Sequence, residues 1–310
     1  MMRSLVVLTL AAPGLLVMAP AAEAAPGPLC GGWRVTIDLN DPHHPDPDRP
    51  QRDVVLGTPR GEVIRTGDGD DIVCAGRGAD RVFLGGDKDT GYGGRGDDLL
   101  DGGGRVDHLS GGAGDDVLRG REGWDQLEPS IDTPGDDRVY GGPGDDWLSH
   151  GNPGDVYVGG PDGDFFANPS ECPECGPGVI TYLGGPGKDL AASGAGAEFF
   201  DGGDGVDTMS YADVGEMGGP GVAVDLAIAG PQETGPGGSD TLVSIEDLVG
   251  TYYGADLLSG DDGPNWLAGV GGTDELFGRG GDDDLDGGDQ DDLCDGGAGV
   301  NHYEECEEVL

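Results

Sequence analysis

Basic side chains are scarce in this sequence. Lysine and arginine number 16 against 61 aspartates and glutamates, a formal net charge of −45 over 310 residues. Such a polyanion repels nucleic acid and anionic membranes, so neither is expected as a partner, and it attracts cations. No apolar run long enough for a transmembrane helix follows residue 30. Catalytic signatures are missing as well: there is no HExxH for a metalloprotease and no GxSxG turn for a lipase. The five histidines show no ligand spacing. His43 and His44 sit in the proline-rich loop DPHHPDPDRP, and His108 and His302 fall on outward-facing positions of the pattern described below. The stretch Asp68-Gly69-Asp70-Asp71 lacks the spacing and flanking helices of an EF-hand. Acid pairs such as Asp115-Asp116 recur too often, and on turns, to be the two carboxyls of a glycosidase.

Glycine, by contrast, is abundant at 66 residues, joined by 22 prolines. That composition alone suggests a disordered chain, and the charge opposes compaction. The N-terminus has its own character. Arg3, the apolar stretch from Leu5 to Val17, and Ala22-Glu23-Ala24 form the pattern of a secretory signal peptide over residues 1–24. Six cysteines follow, an even number that favours disulfides in an exported chain. Proximity favours Cys30–Cys74, Cys172–Cys175 and Cys294–Cys306 among the fifteen pairings that six cysteines allow. Half of a zinc site is the alternative for Cys172-Pro-Glu-Cys175, although no second pair accompanies it.

The organising feature is a period of nine. In GGAGDDVLR, residues 111–119, position six is Asp116 and position eight is Leu118. Stepping by nine places Asp71, Asp80, Asp89, Asp98, Asp107 and Asp125 at position six, with Glu62 as a weaker first copy. Position eight carries Val73, Val82, Leu100, Leu109 and Leu127, broken once by Gly91. An interruption at 129–131 resets the phase for Asp137, Asp146, Asp155 and Asp164. After an irregular insert at 168–182, Asp189, Glu198 and Asp207 resume the series. The last block has Asp256, Asn265, Asp274, Asp283, Asp292 and Asn301. A disordered linker would scatter these residues, whereas here an apolar residue follows the acid by two places in copy after copy.

One apolar residue in nine cannot make an amphipathic helix, and the glycines would weaken one. Positions seven to nine suit a very short strand with one side chain inward, and positions one to six suit a turn. Two strands and two turns close a coil of eighteen residues, so the expected fold is all-β: a parallel β-roll, or β-solenoid. Stacking puts Asp71, Asp89, Asp107 and Asp125 in one column and Asp80, Asp98 and Asp116 in another. Two unit charges at about 4 Å repel by about 4 kcal/mol at an effective dielectric near 20. A cation between coils would offset this. Calcium fits, because it accepts six to eight oxygens including carboxylates and turn carbonyls, whereas magnesium holds its water.

The copies GGRGDDLLD, GGAGDDVLR and GGPGDDWLS resemble the RTX, or haemolysin-type, calcium-binding nonapeptide GGxGxDxUx, in which U is a large apolar residue. The resemblance implies a parallel β-roll with several Ca2+ ions between adjacent turns. It implies coordination by position-six aspartates and turn carbonyls. The candidate ligands are therefore Asp71, Asp80, Asp89, Asp98, Asp107, Asp116, Asp125, Asp137, Asp146, Asp155, Asp164, Asp189, Asp207, Asp256, Asp274, Asp283 and Asp292. Asn265 and Asn301 keep an oxygen but lose the charge, which weakens their sites, and Glu62 and Glu198 are longer than the motif asks. DTMSYAD at 207–213, GVAVDL and GSDTLVSIEDLVG resemble a segment that interrupts such rolls and are expected to add longer strands. The N-terminal signal and cysteines depart from the many RTX proteins exported by a C-terminal signal, and no separate effector domain is evident.

The expected organisation is a signal peptide at 1–24, a cap or loop at 25–56, repeats at 57–210, an intercalated β segment at 211–248, and repeats with a cap at 249–310. The function expected of it is a secreted, non-catalytic calcium-binding protein that folds on binding. The alternative is a calcium-stiffened adhesion module whose inserts contact a cell-wall or surface ligand. A hydrolase site in the inserts is the third reading. Trp147 and Trp266, at outward position seven, are exposed aromatics that could bind a partner or sugar, although isolated ones are usually plain surface.

Overall fold

One inward side chain per nine residues can be buried only if many copies stack, and stacking is what the chain does. In the computed structural model the described residues are 29–41, 43, 47, 50–129, 135–167, 178–215 and 219–310. The signal segment, His44 and the Cys172/Cys175 pair lie outside them. The described residues hold strands and turns and no helix, so among them no helix is long and apolar enough to cross a membrane.

Two parallel sheets run side by side up a solenoid. One sheet of fourteen strands takes a strand from every coil, from Ile37–Asp38 to His302–Glu304. The facing sheet begins at Val63–Asp68 and is closed by the hairpin of Gln232–Gly235 and Gly238–Val243. A five-stranded sheet from Ala223–Asp225 to Glu308–Val309 continues that side of the roll. The register follows the period: Val73 pairs with Gly91, Gly91 with Leu109, and Leu109 with Leu127, each step eighteen residues.

The position-eight side chains form the core. Val73, Val82, Leu100, Leu109, Leu118, Leu127, Val139, Leu148, Phe166 and Phe200 are all fully buried. The break at Gly91 has a simple cause. A Cβ there would meet Leu84, Leu100 and Leu109 at 3.2–3.3 Å, because Leu84, from position one of its own repeat, already fills the space. Midway the core turns aromatic, with Tyr157, Phe166, Tyr182 and Phe200 packed at centroid distances of 5.3–6.4 Å.

The ends are tied covalently. Cys30–Cys74 fastens an antiparallel ribbon, Leu29–Cys30 with Trp33–Arg34, onto the first coils. Cys294–Cys306 closes the last ones. Coil stacking starts before residue 57, since Ile37 pairs with Val55 and Val55 with Val73. The segment at 211–248 adds strands of three to six residues, no longer than those of the coils. One sheet passes it without a break, because Met209 pairs directly with Leu248.

Candidate metal centre

The turn before each strand brings its position-six aspartate inside the coil edge. Backbone bonding fixes it there. The N–H of Asp71 donates to Oδ1 of Asp89 at 2.8 Å, Asp89 to Asp107 at 2.9 Å, and Asp107 to Asp125 at 2.8 Å. The run starts at Asp53, whose N–H donates to Asp71, and goes on through Asp146, Asp164, Asp189 and Asp207 to Glu246. The opposite edge repeats the device from Glu62 through Asp80, Asp98, Asp116 and Asp137 to Asp155. Where the repeat is interrupted, the step lengthens from 18 residues to 21 or 25, and the bond is kept.

Each aspartate thus spends one oxygen on the coil below it. The second oxygen decides what the ladder can do. In fifteen of the seventeen candidate ligands Oδ2 is buried with no hydrogen-bond partner in the protein. Those fifteen are all the candidates except Asp155 and Asp256. Asp155 Oδ2 accepts from the N–H of Asn152 at 2.6 Å, and Asp256 Oδ2 accepts from Thr251 at 2.7 Å. Both residues follow turns that depart from the glycine pattern, His150-Gly151-Asn152-Pro153 and Gly250-Thr251-Tyr252-Tyr253. Their carboxylates are satisfied by protein donors alone.

A buried carboxylate oxygen without a donor is costly, and the charged form suffers for it. Burial, more than repulsion by neighbouring acids, pushes Asp89 and Asp146 up to about 8. It lifts Asp71, Asp107 and Asp116 to about 7, and Asp80, Asp98 and Asp125 to about 6. Desolvation is thus the larger penalty, and like-charge repulsion between rungs is the smaller one.

The glycines leave room beside the unpartnered oxygens. A Cβ at Gly93, position one, would lie 2.6 Å from Asp98 Oδ2 and 2.5 Å from the carbonyl of Gly111 in the next coil. Gly94, position two, has φ of +109°, and a Cβ there would strike the carbonyl of Gly76 in the coil before. Carboxylate oxygens and turn carbonyls therefore converge on space that only glycine leaves open, an all-oxygen donor set of the kind a hard cation prefers.

The calcium-binding model of the RTX nonapeptide repeat, four copies long, matches residues 56–90, 65–100, 101–129, 131–156, 181–210, 251–278 and 268–303, more than half of the chain. The chain belongs to the RTX calcium-binding nonapeptide repeat family. None of the curated proteins matches it. Repeats of the RTX family bind calcium, and the β-roll of this chain carries the acids and glycines of that repeat in register.

Several acids that end or extend the RTX ladders do not stand out in the sequence. Asp53 lies 18 residues before Asp71, in a copy without the glycines. Glu246 and Glu307 accept the N–H groups of Asp207 and Asp292 from outside the period, so no spacing could reveal them. Asp240 accepts from the N–H of Glu198, from Thr234 Oγ1 at 2.8 Å and from Tyr211 Oη at 3.0 Å. Burial, reinforced by Asp240, pushes the Glu198 carboxyl well up, and the two side chains share a hydrogen bond. At this rung an acid-to-acid bond stands where fifteen of the aspartate rungs have an open oxygen. Glu62 turns back to its own turn, bonding Thr58 N–H at 2.9 Å and the Thr58 hydroxyl. Asn265 Oδ1 accepts from Asp261 N–H, and Asn301 Oδ1 replaces a carboxylate in accepting from Asp283.

Proposed function

We propose that this chain is an exported calcium-binding β-roll that folds on taking up several Ca2+ ions and carries no catalysis. The observation that supports it best is the row of fifteen buried carboxylates, each with one oxygen committed to the backbone and one without a protein partner. Asp71, Asp80, Asp89, Asp98, Asp107, Asp116, Asp125, Asp137, Asp146, Asp164, Asp189, Asp207, Asp274, Asp283 and Asp292 would hold the ions, with turn carbonyls completing the oxygen set. Asp155 and Asp256 would serve as hydrogen-bond posts that keep the stack in register. Calcium would supply positive charge that offsets both burial and repulsion. The chain's own residues supply the register, through N–H to Oδ1 bonds, and the room, through glycine.

Export accords with the signal pattern at 1–24, with the cysteine pairs, and with the extracellular setting typical of such repeats. Outside a cell, weak sites fill at calcium near 10⁻⁴–10⁻³ M, roughly the range of extracellular calcium modules. Calcium titration followed by far-ultraviolet circular dichroism tests the reading. The expected result is a cooperative gain of β signal, reversed by EGTA, with calorimetry counting several ions. A spectrum unchanged between EGTA and saturating calcium would overturn it.

A further inference from the structure

The outer face of the sheet that begins at Val63–Asp68 differs from the rest of the molecule in charge. Side chains at positions seven and nine point away from the core on every coil. Across the six coils from Val63 to Val158 these positions carry Arg65, Arg81, Arg119 and Arg138 and a single acid, Asp101. Asp101 is already held by Arg121, with Nη2 to Oδ2 at 2.7 Å. Among the described residues none of the four arginines has a carboxylate partner. Arg65, Arg81 and Arg138 are exposed. Over the matching coils the opposite sheet has no arginine at these positions and one acid, Glu128, and farther along it carries Asp284, Asp286 and Glu304.

The face also repeats itself. Val63 and Arg65 lie beside Arg81 and Phe83 on the next coil, with Val63 paired to Arg81 and Arg65 to Phe83. Three coils on, Val117 and Arg119 lie beside Arg138 and Tyr140, with the same pairing. Each unit is a platform of one aromatic ring, one valine and two guanidinium groups. In the first, the Arg65 guanidinium lies 4.8 Å over the Phe83 ring. Three rungs at about 4.8 Å put the platforms roughly 14 Å apart on a rigid support.

We propose that this face binds a linear acidic polysaccharide, with one sugar ring against Phe83 and another against Tyr140 and their acid groups on the flanking arginines. Aromatic rings present an apolar surface to the C–H face of a sugar, and the guanidinium fork matches a carboxylate or sulfate with two parallel bonds. Charge complementarity is local: a basic, apolar face on a chain of net charge −45. A second copy docked symmetrically would set arginine against arginine, which disfavours a dimer through this face. Duplex nucleic acid, with a charge every ~1.7 Å, is too dense in charge for so acidic a molecule and for arginine pairs this far apart. An acidic peptide would find a free sheet edge only at Val63–Asp68, the end strand, because the strands of the second platform are paired on both sides. Acids stand along the adjoining turn, where Glu62, Asp80, Asp97, Asp98 and Asp115 line a groove with Val63 and Arg81. They limit the ligand to the sheet and away from the turn.

The inference rests on the calcium-folded roll proposed above, because the platforms exist only when coils are stacked. The test uses the full chain in saturating calcium at physiological ionic strength, with circular dichroism recorded first. Labelled hyaluronan and chondroitin sulfate oligosaccharides, short and long, are titrated by fluorescence anisotropy beside neutral dextran and polyglutamate. The expected result is binding of the acidic glycans alone, tighter for the long ones that reach both platforms. Arg65→Gln/Arg81→Gln/Phe83→Ala and Arg119→Gln/Arg138→Gln/Tyr140→Ala should each weaken the long ligand by roughly tenfold, about 1.4 kcal/mol. The combined variant should abolish binding while its calcium-dependent spectrum stays intact, and Thr90→Ala on the opposite sheet should change nothing. Failure of both glycans to bind a folded roll, wild-type affinity in the combined variant, equal binding of dextran, or polyglutamate binding as tightly would each overturn it. A roll that does not fold in calcium would fail at the spectrum, before any glycan is added, and would take this face down with the earlier reading.

Discussion

The coils between 63 and 128 and those between 257 and 304 use the same nonapeptide and join their turns differently. In the first block seven strands, from Val63–Asp68 to Val117–Glu122, are six residues long, and the pairing runs on through Gly76 with Gly94 and Arg77 with Arg95. In the second they are three residues, as in Leu257–Ser259 and Glu275–Phe277, and the turns meet only at single bridges such as Gly271 with Asp289. Position two follows this only in part, since Arg121 sits there at φ of +89° within the six-residue strand Val117–Glu122. Gly76, Gly85, Gly94, Gly103 and Gly112 hold φ between +109° and +115°, which no side chain tolerates. Val270 and Arg279 occupy the same position at φ of +76° and +72°, the left-handed region that side chains can enter at a cost. The ladders differ to match. All seven rungs from Asp71 to Asp125 are aspartates with an unpartnered oxygen, whereas in the second block two of the five rungs, Asn265 and Asn301, are asparagines and only Asp274, Asp283 and Asp292 keep one. The comparison teaches that one repeat can build a ladder with an open carboxylate oxygen at every rung or one with fewer, which the Arg279–Asp225 pair also ties across coils.

The sharpest way to break the comparison is to remove a rung from each block. Asp107→Ala takes away a candidate ligand and leaves the buried N–H of Asp89 without its acceptor, which costs about 1–3 kcal/mol before any lost ion is counted. Its thermal unfolding in calcium should shift far more than that of Asp107→Asn, which keeps an acceptor. Calorimetry should count fewer ions for Asp107→Asn and an unchanged number for Asp256→Asn, since both oxygens of Asp256 already take backbone N–H groups. Equal ion loss in the two would erase the distinction between rung and post.

The turn geometry gives the next contrast. Gly94→Val sets a side chain at φ of +109° against the Gly76 carbonyl and should cost roughly 2 kcal/mol or more. Val270→Gly relieves a strained position and should be neutral or stabilising by up to about 1 kcal/mol. Denaturant midpoints in calcium would read both.

Without metal, pH should act mainly on the first block. Its aspartates have folded pKa values of about 6 to 8, above the 3.8 of an unperturbed carboxyl. The folded coil therefore holds protons that the unfolded chain releases. That stabilisation is fully present below pH ~4 and is lost as pH rises through 6 to 8. The metal-free roll should retain more β signal at pH 5 than at pH 8. Calcium affinity should run the opposite way, falling on acidification through the same window as protons compete for the carboxylates. The smallest effect belongs to Arg279→Ala. Arg279 bonds Asp225 at 2.6 Å and holds the Asp225 carboxyl below its usual range, but the pair is partly solvated. Its loss should cost about 0.5–1 kcal/mol, read as earlier hydrogen exchange in the strand Ala223–Asp225.

Much of the site was legible because the period is itself a physical requirement. An acid every nine residues, with an apolar residue two places later, can be buried and aligned in no way other than by coiling. Position six and position eight therefore announce themselves even across Gly91. What stayed hidden lies between coils. The sequence treats Asp155 and Asp256 like every other rung, yet their turns supply donors that the glycine turns lack. Leu84 fills the gap at Gly91 from a position the repeat reserves for glycine. Glu246 and Glu307 cap ladders from outside the period.

By itself the sequence determined the coil, the inward column and the chemistry of its edges, because these depend on spacing along one strand and its turn. Only the tertiary structure decided which carboxylates keep an open oxygen and which outward side chains become neighbours. Both are set by contacts across 18, 21 or 25 residues, where an insertion changes the partner without changing the motif.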